Sequence, residues 1–169
     1  MIQPGKSSLI VEALHDTIAA VAPSQHLYRG ALVAILDDIR AMAEGRMRPE
    51  PHANSWDDLP WTHFRGGIDQ IVLSCPAGGE SVAALLRYRA GASVPHHLHV
   101  GNEHIVILAG SQQDSHGRYR RGTATCNPAG TAHSVLSLKG CVVGVFWEKP
   151  VRFLASWKQD PRDPTRQDR

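Results

Sequence analysis

Four side chains in the middle of this 169-residue chain have the types and spacing of a metal-ligand set: His97, His99, Glu103 and His133. A strand sends residues i and i+2 to one face, so His97 and His99 point together while His96 and Leu98 point away. Glu103 follows four residues after His99, and Gly101 and Asn102 between them can turn the chain so that the carboxylate swings back beside the imidazoles. His133 comes after Pro128 and Gly130, which pin a loop before the next strand. Three neutral nitrogen donors and one carboxylate suit one borderline divalent ion per chain, whether zinc, iron(II), nickel or manganese. All four donors would saturate a four-coordinate zinc, which makes the site structural or sensory. Iron(II), which takes six ligands, would keep two positions for dioxygen and a chelating substrate. The donor set therefore leaves a sensor and a mononuclear dioxygenase both open, and it names no catalytic residue.

These residues need strands to hold them, and the surrounding sequence supplies them. Apolar, β-branched runs at 68–74, 81–88, 104–109, 122–127, 133–137 and 141–147 join the ligand strand itself. Residues 112–114 and 118–120 flank a Ser115-His116-Gly117 turn as a hairpin, and 151–154 allows one more short strand. The expected class is all-β, an antiparallel jelly-roll barrel over residues 61–155. Ahead of it, helical periodicity places Ile10, Ala13, Leu14, Ile18 and Val21 on one side of a first helix closed by Pro23. Leu27, Ala31, Leu32, Ile35, Leu36 and Ile39 line a second, from a Ser24 cap to about Ala43. This two-helix arm, residues 1–45, has too little core to stand alone and must lean on its own barrel or on a partner. Residues 46–60 read as a linker and 156–169 as a flexible tail.

Composition narrows the function classes. A 42% hydrophobic, 20% charged chain of net charge +2 is an ordinary globular protein with no basic stripe for nucleic acid. No apolar run approaches the roughly 20 residues that cross a bilayer. Glu12, His15 and Asp16 interrupt the only stretch resembling a signal peptide. Three cysteines without a CxxC pair indicate neither disulfides nor a cysteine zinc knuckle, so a reducing cytoplasm is expected. Phosphate-loop, dinucleotide and serine-hydrolase motifs are absent. Among the remaining candidates, His96, His104 and His116 read as outer-face or solvent residues and Cys126 as a small buried hydrophobe. Arg118, Arg120 and Arg121 read as a solvated edge. Trp56 and Trp61 are expected to plug the barrel or cover an edge strand.

The full spacing is more specific than the ligands alone. Gly91, His97, His99, Glu103 and Gly110 resemble the first cupin motif, and Gly122, Pro128, Gly130 and His133 the second, with Ser137 where that family usually has Asn. The stretch 88–141 further resembles the zinc-binding cupin domain of the ChrR anti-sigma factor family, through the Asp-Ser-His-Gly turn at 114–117, Asn127-Pro128 and Gly140-Cys141. The resemblance implies a double-stranded β-helix, zinc on His97, His99, Glu103 and His133, and a part in transcription regulation. That family's sigma-binding half carries a His-x3-Cys-x2-Cys signature, and no Cys precedes Cys75 here, which argues against sigma-factor sequestration. The expected protein is thus a regulatory or sensory ChrR-type cupin. The alternative is an iron(II) or manganese dioxygenase for a small chelating substrate such as a β-diketone. A homodimer and a small ligand in the barrel are expected, without membrane or nucleic-acid partners.

Overall fold

The computed structural model describes residues 8–20, 24, 26–46, 54–57, 59–74 and 81–154. Val21, Pro23, Cys75, the side chain of Leu27, the tail and most of the expected linker lie outside them. Ten antiparallel strands curl into one sheet in the order β1-β2-β3-β9-β5-β8-β4-β10, with β6 and β7 also paired to β5. The strands are β1 Thr62–Arg65, β2 Ile68–Ser74, β3 Val82–Tyr88, β4 Ala92–Leu98, β5 Glu103–Gln113, β6 Arg118–Arg120, β7 Ala124–Asn127, β8 Ala132–Ser137, β9 Cys141–Trp147 and β10 Arg152–Phe153. The expected all-β jelly-roll architecture, with helices in front, is the one observed.

Two apolar layers explain why the central strands are apolar on both faces. Ala84, Leu86, Tyr88, Ile105, Ile107, Val143 and Val145 fill the barrel, while the alternating Ala83, Leu85, Val106, Leu108 and Val142 face outward. The outward layer is covered by α1 (Ser8–Ala20) and α2 (His26–Ala43) through Ile10, Leu14, Leu32, Leu36 and Ile39. A strand buried on both sides loses its polar alternation, which is the pattern these runs show. At Gly144 a Cβ would stand 3.1 Å from both Ile10 Cγ2 and Val106 Cγ1, so the absence of a side chain lets α1 sit down on β9. The arm therefore leans on its own barrel, which covers the described part of its apolar face.

Two sequence readings are corrected here, and one strand was not anticipated. Trp56, in the short helix α3 (Asn54–Asp57), does not plug the barrel: it is buried in the helix-covered layer, with Trp61 packed against that layer. Trp61 Nε1 donates to the Trp56 carbonyl at 2.6 Å, and the Arg87 guanidinium lies 4.8 Å from the Trp61 ring centroid. Arg121 is not a solvated edge. Its guanidinium is buried against the Asp38 carboxylate at 2.6 and 2.7 Å and donates through Nε to the Leu108 carbonyl at 3.0 Å, tying α2 to β5. Strand β1 went unread because it is mostly exposed and shows no alternation for a periodicity argument to find.

Candidate metal centre

The β4–β8 pairing brings the first ligands together. His97 stands opposite His133 in register, and a bulge between Val94 and His97 accommodates Pro95, which cannot donate to the ladder. The Pro95 carbonyl instead accepts from His97 Nδ1 at 2.8 Å. His99 lies just past β4 but stays in line, its N–H on the Thr131 carbonyl and its own carbonyl on the Gly130 N–H. The turn to Glu103 is held by Asn102, which donates twice to Glu148 and accepts from the Ala129 N–H. Gly101 is required there for closeness: a Cβ would meet Glu148 Cβ and the Lys149 nitrogen at 2.9 Å.

His97, His99, Glu103 and His133 are all buried, and one ligand atom from each lies within 4.8 Å of the others. The three imidazole centroids are 4.9–5.0 Å apart. Their hydrogen bonds fix the tautomers. A carbonyl can only accept, so His97 carries its proton on Nδ1. Thr131 Oγ1 donates to the Pro128 carbonyl at 2.6 Å and so accepts from His99 Nδ1 at 3.0 Å. His133 Nδ1 donates to Asp114 Oδ2 at 2.8 Å. Every Nε2 is left as a lone pair aimed inward. Those of His99 and His133 are buried without a partner among the described residues, and His99 Nε2 faces Glu103 Oε2 at 3.2 Å. Lone pairs facing one another across a buried space are unfavourable unless a cation joins them. Such a donor set fits a divalent ion with bonds of about 2.0–2.2 Å.

The surroundings hold these groups in ligating form. Burial brings His97 down to about 4 from 6.5, against the Pro95 carbonyl, so its ring is neutral at pH 7. Burial would raise the Glu103 carboxyl, but hydrogen bonding, including that from the Asn127 amide, outweighs it and sets the value at about 2. Asn127 Nδ2 and Trp147 Nε1 each donate to one Glu103 oxygen at 2.6 Å, which fixes the carboxylate plane. Asp114 is likewise held at about 2: burial opposes this, and hydrogen bonds from His133 and the His116 and Gly117 N–H groups prevail. Thr131, Asp114 and Trp147 are supporting residues that sequence reasoning did not assign. Asp114 and Asn127 were noted only as points of resemblance, and no local pattern says that the β5–β6 hairpin folds back on His133.

The other candidates fall elsewhere. His96 lies off the ligand cluster, with Nδ1 3.5 Å from Ser134 Oγ, and His116 is exposed in the turn. His104 and Cys126 face one another across β5 and β7, and the His104 ring lies 6.3 Å from that of Phe146. Cys126 is half-buried. Ser137, the departure from the second motif, is fully buried and donates to the Ser111 carbonyl at 2.8 Å, joining β8 to β5. A cavity of about 70 Å3 opens beside the ligands, walled by Ile68, Leu86, Val94, Ile105, Val135 and Trp147.

An antiparallel barrel carrying three inward imidazoles and a carboxylate defines a cupin with a buried cluster that could bind a metal ion. The chain belongs to the ChrR cupin-like domain family, whose model matches residues 50–149. It is 31% identical over 152 residues to the anti-sigma-E factor ChrR of Cereibacter sphaeroides, a match covering 83% of this chain and 70% of that protein. Its fold is shared with the polyketide cyclase RemF of Streptomyces resistomycificus (TM-score 0.53, 22% identity, 70% of this chain and 98% of that one). It is shared too with an acetylacetone dioxygenase of Acinetobacter johnsonii (TM-score 0.52, 17% identity, 63% and 76%). No described helix is long and apolar enough to cross a membrane.

Proposed function

We propose that this chain is a metal-dependent regulatory cupin in which His97, His99, Glu103 and His133 hold one divalent ion, with zinc as the resident metal. The observation that carries the reading is the set of inward Nε2 lone pairs, each backed by an occupied Nδ1, converging with Glu103 in a buried space. Zinc bound by four protein ligands is structural, so the centre would act by holding β4, β5 and β8 in one arrangement rather than by turnover. Kinship with an anti-sigma factor supports a regulatory role. The reading does not extend to holding a sigma factor, because α1 and α2 use their apolar faces on the chain's own sheet. Self-association would then run through sheet edges such as β1, where Phe64 is exposed.

A second reading, a dioxygenase with iron(II) or manganese on the same ligands, is favoured by the cavity beside them, which has room for a small chelating substrate. An oxygen electrode separates the two. Protein loaded with zinc or iron(II) and offered a β-diketone is expected to consume no oxygen above the free metal, and sustained uptake by the iron form would establish the enzyme instead.

A further inference from the structure

Five buried polar atoms lack a partner among the described residues, and four are accounted for. His99 and His133 Nε2 belong to the proposed metal centre, while Trp56 Nε1 and His104 Nδ1 lie outside the barrel. The fifth is Gln112 Oε1, on a side chain 4% exposed that lines the same cavity as His97, Glu103 and His133. Its inward position is itself built. Glu103, Ile105 and Ile107 face the barrel, and unbroken alternation would send Gln112 outward. A bulge between Ile107 and Ala109, with Gly110 at φ +67, shifts the parity and turns Gln112 in.

A buried acceptor without a donor is costly, so one must come from the cavity: water in the resting protein, a hydroxyl or N–H when a ligand enters. Charge narrows the ligand further. Three neutral imidazoles, one carboxylate and a divalent ion sum to +1, and Asp114 behind His133 and Arg65 at the mouth offset each other. A monoanion neutralises such a buried centre. The remaining wall is mostly aliphatic and aromatic.

We propose that Gln112 is the specificity-determining residue of this cavity, selecting a small monoanionic oxygen ligand with a short apolar body and a hydroxyl that donates to Oε1. The inference rests on the metal reading above and names the kind of signal molecule that the centre would admit. A site with a buried acceptor rejects the analogue that lacks the donor, because the acceptor is then stranded.

The test uses the metal-loaded full chain and isothermal calorimetry with pairs in which a methyl replaces a hydroxyl: 3-hydroxypropanoate with butanoate, 3-hydroxybutanoate with 3-methylbutanoate, and 4-hydroxybutanoate with pentanoate. In at least one pair the hydroxy acid is expected to bind about tenfold tighter or more. Gln112→Leu should erase or invert that preference at unchanged metal content, and Gln112→Met, an unbranched replacement, serves as the second variant if Leu disturbs folding. No binding in any pair, equal affinities throughout, or a preference that survives the substitution overturns the proposal. Metal content measured first keeps the two ideas apart. A chain that takes up no metal sinks both, and a loaded chain that does not discriminate sinks only this one.

Discussion

Asp114 Oδ2 accepts the Nδ1 proton of His133 across 2.8 Å, joining the β5–β6 turn to a candidate ligand nineteen positions along the chain. The same carboxylate takes the N–H groups of His116 and Gly117 and the hydroxyl of Tyr119. The hairpin is therefore part of the candidate centre: it sets the ring's orientation and its tautomer.

Removing that carboxylate should weaken metal binding without removing a ligand. Asp114→Ala is expected to lower affinity about 10- to 100-fold, as loss of a ligand's hydrogen-bond partner typically does. Asp114→Asn, which keeps an acceptor oxygen, should lose far less. Competition with a chromogenic chelator measures both, and an unchanged Ala variant would mean that the hairpin does not support the site.

Acid should unfold the metal-free protein in two stages. His97 has a folded value near 4 against 6.5 unfolded, so the unfolded chain binds the proton more readily. Its contribution is complete above 6.5 and is lost as pH falls through 4, on the order of 3 kcal/mol at most. Glu103 and Asp114 sit near 2, below their ordinary 4.5 and 3.8, so their contribution is present above those values and fades toward 2. Thermal melts from pH 7 to 3 should fall throughout, and a flat profile between 6.5 and 4 would contradict the neutral, buried His97.

Asp38 and Arg121 form a two-pronged buried ion pair between α2 and the segment after β6. Asp38→Ala takes this carboxylate away from a buried guanidinium and should cost about 3–5 kcal/mol in urea unfolding. Replacing both by Leu and Met should cost markedly less. Equal losses in the two variants would show that the pair is not energetically coupled.

Two motif glycines should differ sharply on substitution. Gly110 has φ +67, and a Cβ there would overlap the Gly140 carbonyl oxygen, so Gly110→Ala should abolish soluble folding. Gly130 has φ +86 with open space around it, and Gly130→Ala should cost only about 1 kcal/mol of backbone strain. Similar melting points for the two would contradict the close approach.

Local pattern carried the reading of the sequence a long way where one residue's neighbours determine its direction. Strand parity brought out His97 and His99, the Gly101-Asn102 turn Glu103 and the Pro128–Gly130 loop His133, whose ligand atoms converge, and the bounds of β2 and β9 were readable from their apolar runs. What could not be read depends on distant partners. Arg121 looks like surface until α2 places Asp38 over it, and Asp114 looks like an ordinary turn residue until β8 brings His133 beneath it. Gln112 turns inward only because of a bulge that period-two counting cannot anticipate. The seat of Trp56 follows from which face of the sheet the helices cover, a choice that amphipathicity alone leaves open.

The most direct measurement is metal content per chain, by elemental mass spectrometry, of the purified 169-residue chain beside its His97→Ala and His133→Ala variants. The account predicts about one divalent ion per chain, with zinc the principal metal, and near-complete loss in both variants while the far-ultraviolet spectrum remains that of a folded β protein. A folded wild-type chain without stoichiometric metal, or variants that keep their ion, would contradict it.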